Sequence, residues 1–192
     1  MYDAGHDPYV YPGTQVLKNK LNIHSAAQLE RFEFLATQQR ASESPPRGRL
    51  GYRHFLAIHR HLFQDVYTWA GRPRTVRLSK QQSVFCYPEH IDKEMRRIFS
   101  GLEKEIHLRD LKRSRFIDRA AYYLSEINAV HPFREGNGRT QLLFTTLLAE
   151  RAGYPVDVER LDPGAFMKAM IASFDGNLGP LKQVLRRLIP AP

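Results

Sequence analysis

HPFREGNGRT, residues 131–140, is the stretch on which the fold turns. Before it, Phe116, Ala120, Tyr123, Leu124 and Ile127 recur at helical spacing; after it, Leu143, Leu147 and Leu148 do the same until Gly153 and Pro155 stop them. Ten polar, glycine-rich residues are more than a turn between two helices needs, so the segment reads as a site carried by a helical pair.

The same period extends in both directions from that pair. Ser25 and Gln28 have capping-box spacing ahead of Leu29, Phe32 and Leu35, which predicts a helix over 25–41. The breaker cluster SESPPRG, 42–48, precedes a second helix carrying Phe55, Ile58, Leu62, Phe63 and Val66, ending near Gly71 and Pro73. Ile91, Met95, Ile98, Phe99 and Leu102 mark a third. Asp162 followed by Pro163 opens a helix through Phe166, Met170 and Phe174, and Leu181, Val184, Leu185 and Leu188 form the last. One segment departs from the pattern: Thr75 to Tyr87 alternates apolar and polar residues around SKQQS, which predicts a β-hairpin. The expectation is an all-α domain carrying one small hairpin, with no internal repeat.

The 192 residues suffice for one domain, and 42% hydrophobic residues suffice for a core. With a single cysteine, Cys86, neither an internal disulfide nor a Cys-based zinc site is available. No apolar run reaches membrane-span length and the start lacks a secretory pattern, so the chain reads as cytoplasmic. Its 29 Lys+Arg against 20 Asp+Glu give +9, a charge compatible with nucleic acid, an anionic membrane or a phosphate-rich ligand. Against nucleic acid stands the lack of a helix-turn-helix, aromatic RNA platform or zinc finger. His54, His59 and His61 are spaced by five and two residues, unlike the i, i+4 pair of a zinc helix, Cys86 and His90 have no orienting third group, and RDLKRSR, 109–115, reads as a solvated turn.

The loop chemistry points to phosphate. Gly136 and Gly138 can take positive φ and bare their backbone N–H groups ahead of a helix amino end, the makings of an anion nest. Arg139 can clamp a phosphate bidentately and the Asn137 amide can donate to a phosphoryl oxygen. Glu135 offers the hard oxygen that Mg²⁺ prefers when it bridges nucleotide phosphates. His131 has the ordinary imidazole basicity of a general base at neutral pH. Phe133 reads as a core ring that pins the loop.

HPFREGNGR, 131–139, resembles the signature HxFx(D/E)GNGRxxR of the Fic family of nucleotidyl transferases. IHRHLFQDVYTWAGRPR, 58–74, is similar to the family's helix before its flap, and YPGTQVLKNKLNI, 11–23, resembles the start of Fic domains in translocated effectors and conjugation-associated toxins. The resemblance implies one Fic domain over 1–192, a helical bundle with a β-hairpin flap at about 74–88. It implies transfer of AMP from ATP to a Tyr, Thr or Ser hydroxyl of a target protein, with His131 as base and Glu135 as Mg²⁺ ligand. Arg134, Glu135, Gly136, Asn137, Gly138 and Arg139 would hold the nucleotide, and Lys80, Ser83 and Phe85 of the flap would hold the target. Gly136 sets the sequence apart from the Doc branch, which has lysine there. The second arginine of the pattern is Leu142 here, so UMP, GMP or phosphocholine transfer is the alternative, with an inactive or basic binding module behind it. In the flap region Arg72, Arg74, Arg77 and Lys80 face no acidic residue. No full inhibitory motif (S/T)xxxE(G/N) is present, which implies a small antitoxin in trans. Targets known in the family include bacterial topoisomerases and host GTPases, with no nucleic acid or membrane partner. The setting it implies is the bacterial cytoplasm, or a host or recipient cell after translocation.

Overall fold

The computed structural model describes residues 7–80 and 83–191, with the side chains of Lys80 and Ser83 outside that description. Among the described residues there are seven α-helices: α1 (Ala26–Ser42), α2 (Tyr52–Phe63), α3 (Pro88–Lys104), α4 (Arg113–Val130), α5 (Asn137–Arg151), α6 (Pro163–Phe174) and α7 (Gly179–Leu188). Their starts follow local chemistry. Ser25 accepts from the Gln28 N–H at the head of α1, Pro88 sits in the first turn of α3, and Asp162 accepts from the N–H groups of Gly164 and Ala165 at the head of α6. α2 stops three residues before Val66, because the N–H groups of Val66 and Tyr67 both turn back onto the Phe63 carbonyl.

α4 is the central helix. It packs against α3, α5, α6 and α7, and buries Phe116, Ile117, Ala120, Ala121, Leu124 and Ile127 along more than one face. α2 packs against both α5 and α1. Where α2, α3 and α5 meet, Phe55 stacks on Phe133 at 5.6 Å and meets Phe144 edge-on at 5.5 Å. Each such ring contributes roughly 1.5–3 kcal/mol on burial. Phe133 is fully buried, so the loop before α5 is pinned from beneath as the sequence predicts.

The all-helical class stands, but the hairpin expected over Thr75–Tyr87 needs correction. Among its described residues only Ser79–Lys80 and Ser83–Val84 pair, antiparallel, with Ser79 opposite Val84 and Lys80 opposite Ser83. One further bond, from the Phe85 N–H to the Leu78 carbonyl, extends the contact. The physical reason is where the other polar groups go. The Cys86 N–H donates to the Ala129 carbonyl at the end of α4, and the Arg74 guanidinium takes the carbonyls of Val76 and Cys86. Arg74 and the end of α4 thus take polar groups that a longer ribbon would pair between its strands, and the ladder among the described residues stays short. Arg74 also leaves the set of cations expected on an open face, because it is 2% exposed.

Candidate active site

α4 ends at His131, which sits in the left-handed region with φ 51° while its N–H still reaches the Ile127 carbonyl. Two groups fix this turn. The Arg74 Nε donates to the His131 carbonyl at 2.8 Å, and the Phe85 ring stacks on the imidazole with centroids 4.0 Å apart. The chain then dives to Phe133 and returns to Gly136, whose φ of 81° caps α5. A Cβ on Gly136 would lie 2.2 Å from the Phe63 ring, so this position needs glycine for both backbone and space.

Asn137 does something other than the sequence suggests. It is buried, its Nδ2 donates to the Phe133 carbonyl at 2.7 Å, and its Oδ1 accepts from the Phe133 N–H at 2.9 Å. The side-chain amide closes the loop through these two bonds. What α5 offers an anion is its first backbone N–H groups, which have no acceptor within the helix, together with its dipole. Gly138 is also corrected: its φ is not positive, and a Cβ there would meet nothing within 4 Å. Glycine at 138 keeps the approach to the helix end open.

These two glycines therefore predict opposite effects. Gly136→Ala destabilises the protein by about 1–3 kcal/mol through backbone strain and the Phe63 contact. Gly138→Ala leaves stability unchanged or raises it by about 0.5–1 kcal/mol, because alanine is the better helix residue. Its cost falls on ligand affinity, which drops about tenfold or more as the side chain enters the approach path. Thermal denaturation beside a nucleotide titration checks both, and a stable Gly136→Ala protein would contradict the steric account.

The loop is also held from outside. His59 of α2 is fully buried between the rings of Phe63 and Phe133, at 4.7 Å and 3.7 Å. Its Nδ1 accepts from the Gly71 N–H at 2.8 Å, so Nε2 carries the proton and donates to the Glu135 carbonyl at 3.0 Å. Burial, with a smaller push from Arg139, holds the imidazole down at about 4. The unfolded chain binds a proton at His59 near pH 6.5, where the folded chain does not. Stability present above that pH is thus lost as pH falls from about 6.5 to about 4, by roughly 3 kcal/mol. Urea midpoints at pH 7 and pH 5 should show the loss, and its slope should flatten in His59→Gln.

Arg139, in the first turn of α5, donates to Glu33 of α1, to the Thr37 hydroxyl at 3.2 Å and to Glu135 at 3.5 Å, and lies over the Phe63 ring at 4.6 Å. Glu33 also accepts from the Tyr67 hydroxyl; burial and this carboxylate push the phenol well above its ordinary range. The Glu135 carboxylate is half exposed and accepts from the Gly136 N–H at 2.8 Å. Arg134 pairs through Nε with Asp7 at 2.9 Å, tying the N-terminal segment to the loop. Glu33, His59, Tyr67 and Arg74 are absent from the sequence-based set of site residues. Nothing local marks them, since each reaches the loop from a distant element.

Two cavities flank this arrangement. One of about 390 Å³ is lined by His131, Arg134, Asn137 and Gly138 and by Phe166 and Met170 of α6. The second, of about 680 Å³, is lined by Glu33, Tyr67 and Arg139. Gln15 and Glu135 line both, so the amino end of α5 sits where they adjoin. Phe85, Leu78 and Ser79 border the smaller cavity, while Lys80 and Ser83 lie outside the described side chains. Among the described residues no cluster of three His, Cys, Asp or Glu could hold a metal by itself. A carboxylate such as Glu135, at the mouth of a phosphate site, nonetheless matches the way Mg²⁺ is held by one or two carboxylates plus substrate oxygens and water.

The model of the Fic/DOC family matches residues 49–149, a span that runs from before α2 into the last turn of α5 and includes the whole loop. The chain belongs to the Fic/DOC family. This Fic chain is 49% identical over 189 residues to a probable protein adenylyltransferase of Sinorhizobium fredii, with 98% of each chain covered. It is 40% identical over 189 residues to the protein adenylyltransferase VbhT of Bartonella schoenbuchensis, covering 97% of this chain and 40% of VbhT. Among solved structures it superposes on the BepC effector of Bartonella tribocorum with bound AMPPNP, at TM-score 0.86 and 26% identity, covering 96% of this chain and 97% of that one. Among the described residues of this Fic domain no helix is long and apolar enough to cross a membrane.

Proposed function

We propose that the chain is a protein adenylyltransferase that moves AMP from ATP to a Tyr, Thr or Ser hydroxyl of a target protein. The observation that carries this is the shared cavity of His131 and the amino end of α5, in a chain whose relatives bear that activity in their names. The target oxygen bonds to the α-phosphorus, the bond to the β-phosphate oxygen breaks, and pyrophosphate leaves. The hydroxyl proton passes to the His131 imidazole. The α5 N–H groups and Arg139 neutralise charge on the phosphates, and the protein's part is positioning and electrostatics. Mg²⁺ held at Glu135 would supply further neutralisation of the departing charge.

The unit is one Fic domain over 1–192, a reading supported by a core cluster that runs from Val16 to Ile189. We place the target segment along Ser79, Lys80, Ser83 and Phe85, supported by the stacking of Phe85 on His131. Leu142 packs against the core and offers no charged group to a distal phosphate. Restraint comes from a separate small antitoxin, since the chain lacks the inhibitory motif. Work in a bacterial cytoplasm or in a recipient cell is compatible with the effector relatives.

The test is incubation with Mg²⁺, cell lysate and each of four α-phosphate-labelled nucleotides. Label from ATP on a protein band is expected. Label only from UTP, GTP or CTP would move the donor, and label from none would leave a binding module.

A further inference from the structure

Gln141 lies on α5 one turn after the loop and is 1% exposed. Both Oε1 and Nε2 are buried without a hydrogen-bond partner. An amide in that condition stabilises the fold less than an apolar side chain of the same length, so packing does not account for it. The residue lines the smaller cavity, together with Phe166, Met167 and Met170 of α6 and with His131 and Gly138. Those three α6 side chains form an apolar wall suited to the face of a flat ring. Along the helix Gln141 lies about 6 Å past Asn137, comparable to the reach from a nucleotide's α-phosphate to its base.

Two other amides border the cavity, and each already donates to a backbone carbonyl. The Asn128 Nδ2 goes to the Met170 carbonyl at 2.9 Å, and the Asn137 amide goes to Phe133. A glutamine amide presents a donor beside an acceptor, the complement of adenine's N6–H₂ beside N7 or N1. The geometry points to Gln141 as the residue that reads the donor's base: its amide pairs with the edge of adenine while Phe166 and Met170 cover the ring. The inference deepens the reading of ATP as donor and rests on it.

Calorimetric titration of the wild type and Gln141→Met with ATP, AMP and pyrophosphate, beside their thermal melts, tests it. In the variant ATP and AMP should bind about tenfold more weakly, pyrophosphate should bind within about twofold of wild type, and the melting temperature should not fall. Equal ATP affinity in the two proteins overturns base reading and leaves the donor assignment intact. An equal loss for all three ligands means a distorted site and also overturns it. A wild type that binds neither ATP nor AMP removes the donor assignment, and this inference with it.

Discussion

His131→Ala lowers the rate of AMP transfer by about 10²–10⁴-fold, the usual contribution of a positioned general base. The residue sits at φ 51°, where alanine is strained, so this variant also loses roughly 1 kcal/mol of stability. His131→Asn separates the two effects. Asparagine tolerates the left-handed region and cannot act as a base, so it should be as inactive as alanine and closer to wild type in its melt. Label transfer measured under matched ATP and lysate decides the matter. Transfer at the wild-type rate in either variant would remove His131 from the proton step and leave only its place in the turn.

Arg74→Met has the largest expected effect on stability. The guanidinium donates to the carbonyls of His131 at 2.8 Å, Val76 at 2.6 Å, Cys86 at 2.6 Å and Val130 at 3.1 Å, while its backbone N–H takes the Pro132 carbonyl at 2.8 Å. Methionine fills the volume and leaves those four carbonyls without their charged donor. Charge-assisted bonds of this kind contribute about 1.5–3 kcal/mol each, and losses at one centre overlap, so a total of about 3–5 kcal/mol is expected. Urea denaturation should show a lower midpoint with an unchanged slope. Activity should fall further than stability, because the same bonds hold the turn that carries His131 and the segment that carries Phe85. A loss under about 1 kcal/mol would mean that water or neighbouring N–H groups replace the arginine readily.

How much of this was legible beforehand differs residue by residue. The start of α6 could be read from Asp162 and Pro163, since an N-cap acts over three residues. The burial of Phe133 followed from its place among polar neighbours. The loop-closing bonds of Asn137 have no signal in the sequence, because its amide meets Phe133 only once the loop has closed around it. Arg74 was counted with the open cations of its segment, yet the carbonyls that draw it inward come from the far end of α4. The hairpin was overstated for the same reason: alternation predicts strand backbone, and cannot show that the partners of that backbone lie in a helix end.

By itself the sequence determined the helical class, the starts of α1 and α6 and the family, since each depends on periodicity or on residues adjacent in the chain. Only the tertiary structure decided how the loop is held and what faces the cavity. His59 reaches Glu135 across 76 residues, Arg74 reaches His131 across 57 and Glu33 reaches Arg139 across 106. Such partners leave no local pattern, because a buried polar group is satisfied by whatever packing brings near.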